Sequence, residues 1–351
     1  SDGANVTVLS HEIGQWNQDH INLPKAVFAT GTSSNDGNHG TAAVGIMAAR
    51  DIGTGIKGLA WNSQVAYAPA SSYYLYNAIP RLQAGDVVQI GFHYSYGGEV
   101  TGCTSKCYLP AESNQANFDI IKALTDKGVH VIEAASNGNI NLDHSAFNGQ
   151  YNIHTHDSGA IFAGGIEPLT GGRASFSNYG SRVTSASWGR YVVTTGYGGL
   201  ASGQNANYTE RFNGTSASNP IIAGVVASLS SIAKAHGITV TPRQMRDILN
   251  QTGTQLNDNA SALIGTQPDM ARAVAKILEL DQSTTPSPVI TVDHSAINAI
   301  SGTTAWSYPL IATSDQESVN WQWKFLSGDS RIYLNSSDSN RTLVVIPANV
   351  S

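Results

Sequence analysis

Cysteine, charge and long apolar runs are all scarce in this chain of 351 residues, and each shortage closes off a class of function. Only 13% of residues are charged, and no Lys/Arg-rich run appears, so neither nucleic acid nor an anionic membrane is an expected partner. No apolar stretch is long enough to span a bilayer without polar interruption. The two cysteines, Cys103 and Cys107, have no histidine pair beside them and make a poor zinc site. In a secreted chain they predict a local disulfide pinning a loop. No internal repeat is present.

What is present is glycine (35 residues) with abundant Ser, Thr and Asn, a profile that suits a secreted enzyme rich in polar turns. The chain opens at Ser1 with neither a methionine nor a signal peptide, which reads as a mature, processed form. Its length is enough for one large domain and a small one. Strand-like runs (Val6–Leu9, Gln64–Ala68, Val87–Phe92, Val129–Glu133, Ala160–Gly164) alternate with helical patterns (Gly40–Ala49, Asn114–Lys127). That alternation predicts an α/β fold, a doubly wound, mostly parallel sheet with helices on both faces.

Three segments carry chemistry. Phe212-Asn213-Gly214-Thr215-Ser216-Ala217-Ser218-Asn219-Pro220 puts a serine on a glycine-led turn where an apolar helix begins. Free N–H groups and the macrodipole there favour developing negative charge, as acyl transfer requires. Alone, the segment reads equally well as a helix whose N-cap is Thr215 or Ser216. Asp36-Gly37-Asn38-His39-Gly40-Thr41-Ala42 repeats the pattern with a histidine, followed by small residues that let two helices approach closely. Val129-His130-Val131-Ile132-Glu133-Ala134-Ala135-Ser136-Asn137-Gly138 reads as a buried strand ending in a polar turn, where Asn137 is either a donor to an oxyanion or an ordinary turn residue.

Together the three resemble the subtilisin-like serine proteases (subtilases), whose histidine lies in H-G-T, whose nucleophile lies in G-T-S-x-A/S, and whose oxyanion asparagine ends an apolar strand as in A-A-G-N. The order His39, Asn137, Ser216 is the family order, and the resemblance spans about the first 280 residues. Ser175-Phe176-Ser177-Asn178-Tyr179-Gly180 resembles the family's F-S-N-Y-G segment. The resemblance implies that Ser216 is nucleophile, His39 general base, and Asn137 oxyanion donor. It also implies that the strand edge over Gly91, Phe92 and His93, together with Ser136, binds substrate backbone, within a cleft wall running from Gly91 to Gly98. No cofactor is required for that chemistry, and structural calcium is a family-level expectation only. Asn139-Ile140-Asn141-Leu142-Asp143 supplies oxygen atoms, but its pattern is not an EF-hand and no metal ligands are assigned. The expected partner is a protein or peptide substrate, bound by a secreted monomer.

One family feature is missing. Subtilases carry an aspartate at the end of the first core strand, as in V-x-D-x-G or I-x-D-x-E, and here that strand is Val6-Thr7-Val8-Leu9-Ser10-His11-Glu12. Aligned on Trp16-Asn17-Gln18-Asp19-His20 the position falls at His11; aligned on Glu12 it falls at Ser10. Three readings follow: Glu12 acts as the orienting acid, Ser10 or His11 orients His39 without a full negative charge, or the site has decayed to peptide binding. Glu12 is preferred for its charge and position. Expected domain bounds are 1–280, a linker at 281–288 and a β module at 289–351. The module resembles a PKD/Ig-like accessory unit, with strands at Val289–Val292, Trp321–Phe325, Ile332–Leu334 and Leu343–Ile346. The chain stops soon after its last apolar strand, so a longer native protein is expected.

Overall fold

The structure is a computed structural model that describes residues 2–96, 107–257 and 262–282 and, towards the chain end, 290–292, 306–314, 323, 332–334 and 341–346. Contacts divide the chain into two units, Ser1–Asp281 and Gln282–Ser351.

The first unit runs β1 (Thr7–Glu12), β2 (Ala26–Ala29), α1 (Asn38–Ala48), β3 (Gln64–Pro69), α2 (Ser72–Tyr76), β4 (Val87–Ile90), β5 (His93–Tyr96), β6 (Cys107–Pro110), α3 (Gln115–Asp126), β7 (His130–Ala134), β8 (Ile161–Ile166), β9 (Ser185–Trp188), β10 (Val192–Thr195), β11 (Tyr208–Phe212), α4 (Thr215–Ala235), α5 (Pro242–Thr252) and α6 (Met270–Gln282). Seven strands form one sheet in the order β2-β3-β1-β4-β7-β8-β9, every neighbouring pair parallel. β2 and β3 lie on one side of β1 and every later strand of the sheet on the other, so the β1/β4 junction is a switch point, where open α/β sheets bind ligands beyond the carboxyl ends of their strands. Two antiparallel pairs, β5–β6 and β10–β11, stand apart from this sheet.

Burial on both faces fixes what each strand residue meets. One apolar cluster joins Val6, Val8 of β1, Val87 of β4 and Ile132 of β7 to residues of α1, α4, α5 and α6. A second joins Leu9, Val88, Ile90 and Val131 to Leu75 of α2 and to Ile121 and Leu124 of α3. Side chains alternate along a strand. Ser10 and Glu12 therefore project with Val8 towards α1 and α4, and His11 projects with Leu9 to the opposite face. Gln89 likewise points towards α4, and Glu133 towards α3.

α4 would pass as a membrane span by length and composition, but most of its surface lies inside the domain, as a core helix's does. It begins at Gly214, whose φ of 88° is left-handed backbone that suits glycine. A Cβ there would also come within 3.1 Å of Asn137 Nδ2.

In the second unit, β12 (Ile290–Val292), β13 (Trp306–Ser314), β14 (Tyr333–Leu334) and β15 (Arg341–Ile346) form an antiparallel sheet in the order β12-β13-β15-β14. Trp323 is outside any strand, and Trp321, Gln322 and Phe325 lie outside the described residues, as do Cys103, Gly97, Gly98 and most of the expected linker.

Candidate active site

The residues singled out above converge at the carboxyl edge of the sheet. β1 ends at Glu12, and the following turn runs against the start of α1. A Cβ on Gly40 would overlap the Gly14 carbonyl oxygen, so glycine there is what lets the helix start come so close. The result is a hydrogen bond between His39 Nδ1 and Glu12 Oε2 at 2.9 Å. The Glu12 side chain is fully buried and that of His39 is 22% exposed.

Burial pushes the Glu12 carboxyl up, but the His39 charge and the hydrogen bonds from His39 and Gln89 outweigh it, and its pKa ends below the ordinary value. For His39, burial pulls the pKa down, while the Glu12 charge and hydrogen bond raise it further, leaving it above the ordinary 6.5. The pair therefore favours an anionic carboxylate beside a readily protonated imidazole.

The two rival positions stand elsewhere. His11 faces the α2/α3 side, where Nδ1 meets the Ala68 carbonyl at 3.0 Å and the ring packs edge-on against Phe92 at 4.9 Å. Burial holds its pKa at about 4, so at neutral pH this imidazole is uncharged. Ser10 points towards α4, but its hydroxyl donates to Gln89 Oε1 at 3.4 Å.

Ser216 is the second residue of α4, on the turn opened by Gly214. The His39 ring meets the edge of Phe212, four residues before Ser216, with centroids 5.4 Å apart. That contact, together with the packing of α1 against α4, brings the two helix starts to one place. Asn137 follows β7 through Ser136, which takes a left-handed φ of 79° and is fully buried. This turn aims the Asn137 side chain at the turn before Ser216, where both the Thr215 backbone N–H and Thr215 Oγ1 donate to Asn137 Oδ1 at 2.9 Å. With its oxygen held, the amide leaves Nδ2 as the donor for an incoming anion.

The expected substrate wall divides. His93 heads β5 and stacks on Tyr108 with ring centroids 3.8 Å apart. Burial, then the nearby His39 charge, hold its pKa at about 4. Gly91 and Phe92 are buried. A Cβ on Gly91 would overlap Glu12 Oε1, so the space that a side chain would fill at this position is taken by the carboxylate.

Sequence reasoning missed Gln89. Its Nε2 donates to Glu12 Oε1 at 3.1 Å and to Asn219 Oδ1 at 2.8 Å. The available signal was a lone amide within the apolar run Val87-Val88-Gln89-Ile90, since a polar group buried in a central strand needs partners.

The side-chain oxygens of the loop at 139–143 accept hydrogen bonds from protein donors. Asn139 Oδ1 accepts from Arg173, Asn141 Oδ1 from the Asp143 N–H, and the Asp143 carboxylate from Ser181. Among the described residues no group of three or more His, Cys, Asp or Glu could hold a metal ion.

Comparison with known proteins agrees with this geometry. The subtilase family model matches residues 7–265. The extracellular basic protease of Dichelobacter nodosus is 27% identical over 263 residues, covering 70% of this chain and 40% of that protein. Subtilisin DY of Bacillus licheniformis is 28% identical over 265 residues, covering 73% of this chain and 86% of that protein. A solved protease structure from Pseudoalteromonas arctica shares the fold with a TM-score of 0.56 at 22% identity, covering 79% of this chain and 91% of its own. A match over most of the α/β unit, on a fold whose sheet edge gathers these motifs, means that the chain belongs to the subtilase family.

Proposed function

We propose that this protein is a secreted serine endopeptidase that cleaves peptide bonds through an acyl-enzyme, with glutamate in place of the usual aspartate. The observation that carries the reading is the 2.9 Å hydrogen bond from His39 Nδ1 to a fully buried, anionic Glu12. A carboxylate accepting from Nδ1–H fixes the imidazole tautomer, so that Nε2 carries the lone pair that takes a proton.

In this reading Ser216 Oγ attacks the scissile carbonyl carbon while its proton passes to His39 Nε2. The carbonyl π pair moves onto oxygen, and the resulting anion is met by Asn137 Nδ2 and the Ser216 backbone N–H at the start of α4. Collapse of the tetrahedral species breaks the C–N bond, and His39 gives its proton to the leaving amine. Water then repeats the sequence, with His39 as base, and frees Ser216. Glu12 keeps its charge throughout and stabilises the imidazolium formed in each half. The peptide backbone pairs with the strand edge at β5, beside the His93–Tyr108 stack, and no cofactor takes part in the chemistry. A Cys103–Cys107 disulfide at the rim of that cleft belongs to the same proposal, as does secretion, which the extracellular basic protease of Dichelobacter nodosus supports by its description.

The test is labelling of the full chain with a fluorophosphonate, alongside peptide hydrolysis, for the native protein and Ser216→Ala. Labelling and cleavage that both vanish in Ser216→Ala are expected. A folded native protein that neither labels nor cleaves at any pH refutes the reading in favour of a peptide-binding relic. Labelling with ester but no amide turnover would reassign it as an esterase.

A further inference from the structure

We propose that Gln89 is a positioning residue for the acid, and that it works only because Gly91 leaves room for a glutamate. The proposal rests on the Ser216–His39–Glu12 reading above and adds the means by which a longer acid is held in place.

Glutamate is one methylene longer than aspartate and has an extra rotatable bond, so a Glu at the end of β1 must be both accommodated and immobilised. Gly91, the first residue after β4, accommodates it, because any Cβ there would overlap Glu12 Oε1. Gln89 immobilises it, since its two Nε2 hydrogens go to Glu12 Oε1 and Asn219 Oδ1. A backbone carbonyl and a serine hydroxyl dictate the orientation of these amides. Asn219 Nδ2 donates to the Ile132 carbonyl at 3.1 Å, which turns Asn219 Oδ1 towards Gln89. Ser10 Oγ donates to Gln89 Oε1, which turns Gln89 Nε2 towards Glu12. Ser10, Glu12, Gln89 and Asn219 are all fully buried.

Each Glu12 oxygen thus has its own donor, Oε2 from His39 and Oε1 from Gln89, and neither is free to rotate. Asn219 lies three residues after Ser216, just past the first turn of α4. One chain of buried amides therefore ties the acid on β1 to the helix that carries the nucleophile. In a buried site such a network is rigid when every member is satisfied, and costly when one is not.

The experiment measures kcat, KM and the acid limb of kcat/KM for the full chain acting on a peptide substrate. Gln89→Met fills the same volume without a donor. Removing a donor from a buried carboxylate has a large effect, and kcat is expected to fall about tenfold or more with KM within about twofold. The acid limb should move to higher pH, because the unsupported carboxylate draws a proton onto His39 more strongly. Gly91→Ala should cost more, on the order of a hundredfold in kcat, by displacing the Glu12 carboxylate from His39. Adding Glu12→Asp should recover about tenfold of that loss, because the shorter acid vacates the space the new methyl needs.

Unchanged kcat and acid limb in Gln89→Met would overturn the positioning role. A Glu12→Asp/Gly91→Ala pair no better than the product of the single effects would overturn the role of the space. If Gln89→Met does not fold, Gln89→Asn keeps an amide in the core but withdraws it by one methylene, and the same shifts are required of it. An inactive, unlabelled native protein would sink the parent reading and this proposal with it. An active native protein indifferent to these changes would sink this proposal alone.

Discussion

Glu12→Gln keeps the shape of the acid and removes its charge, and its consequence follows from the network around it. At 2.9 Å and an effective dielectric of about 20, the Glu12 charge stabilises an imidazolium by about 6 kcal/mol. Divided by about 1.4 kcal/mol per decade, that is about 10⁴ in rate. The amide adds a second fault. Gln89 Nε2 is held as a donor towards Oε1, so the new amide turns its oxygen to Gln89 and its NH₂ to His39 Nδ1. That arrangement favours the tautomer with its proton on Nε2, which cannot accept one from Ser216. Loss of the acid costs about 10⁴ in trypsin-type enzymes and about 3 × 10⁴ in subtilisin, the same range. The assay is kcat on a chromogenic peptide with the rate of fluorophosphonate labelling beside it, from acid to alkaline pH. The native acid limb should lie above the ordinary histidine value of 6.5, because Glu12 raises the His39 pKa; in Glu12→Gln the limb should move down. A loss of less than about tenfold with an unmoved limb would refute the assignment of Glu12 and reopen the question of what orients His39.

Asn137→Leu removes the side-chain amide proposed to meet the oxyanion and should lower kcat by about 10²–10³ with little change in KM, measured by steady-state peptide hydrolysis; an unaltered kcat would remove Asn137 from the mechanism. Glu133→Gln should stabilise the protein at neutral pH. Burial, then the charge of Glu112, raise the folded-state pKa of Glu133 well above the ordinary 4.5. The stability associated with its protonated form is complete below the unfolded value and is lost as pH rises through the folded one. The advantage of Glu133→Gln should therefore vanish near pH 4 and grow at up to about 1.4 kcal/mol per pH unit above it. Thermal melts across that range check this, and a constant offset would refute it. Ser136→Gly should relieve the left-handed backbone at φ 79° and raise Tm by about 2 °C, about the yield of a fraction of a kcal/mol in a domain of this size; a clear fall in Tm would show that the serine hydroxyl matters more than the backbone.

The motifs around His39, Asn137 and Ser216 were legible in the chain because each combines glycine, a polar residue and an apolar run, and the three stand in the family order. The alternation of those runs likewise dictated a parallel sheet with helices on both faces, although β2 and β9 of that sheet, the β5–β6 and β10–β11 pairs, α2 and β13 were not anticipated. β2 is four residues long with an alternately exposed face, and β13 follows a stretch without a clear period. Which of Ser10, His11 and Glu12 stands at His39 was decided only in three dimensions. In a strand buried on both faces, apolar residues occupy both parities, so the sequence does not show which parity meets which helix. Packing of β1 between α1 and α4 on one face and α2 and α3 on the other sends Glu12 to His39 and His11 to Phe92. For the same reason Gln89 and Gly91 read as part of an ordinary strand and its end, and acquire meaning only through Glu12 and Asn219, 77 and 130 residues away from Gln89 in the chain.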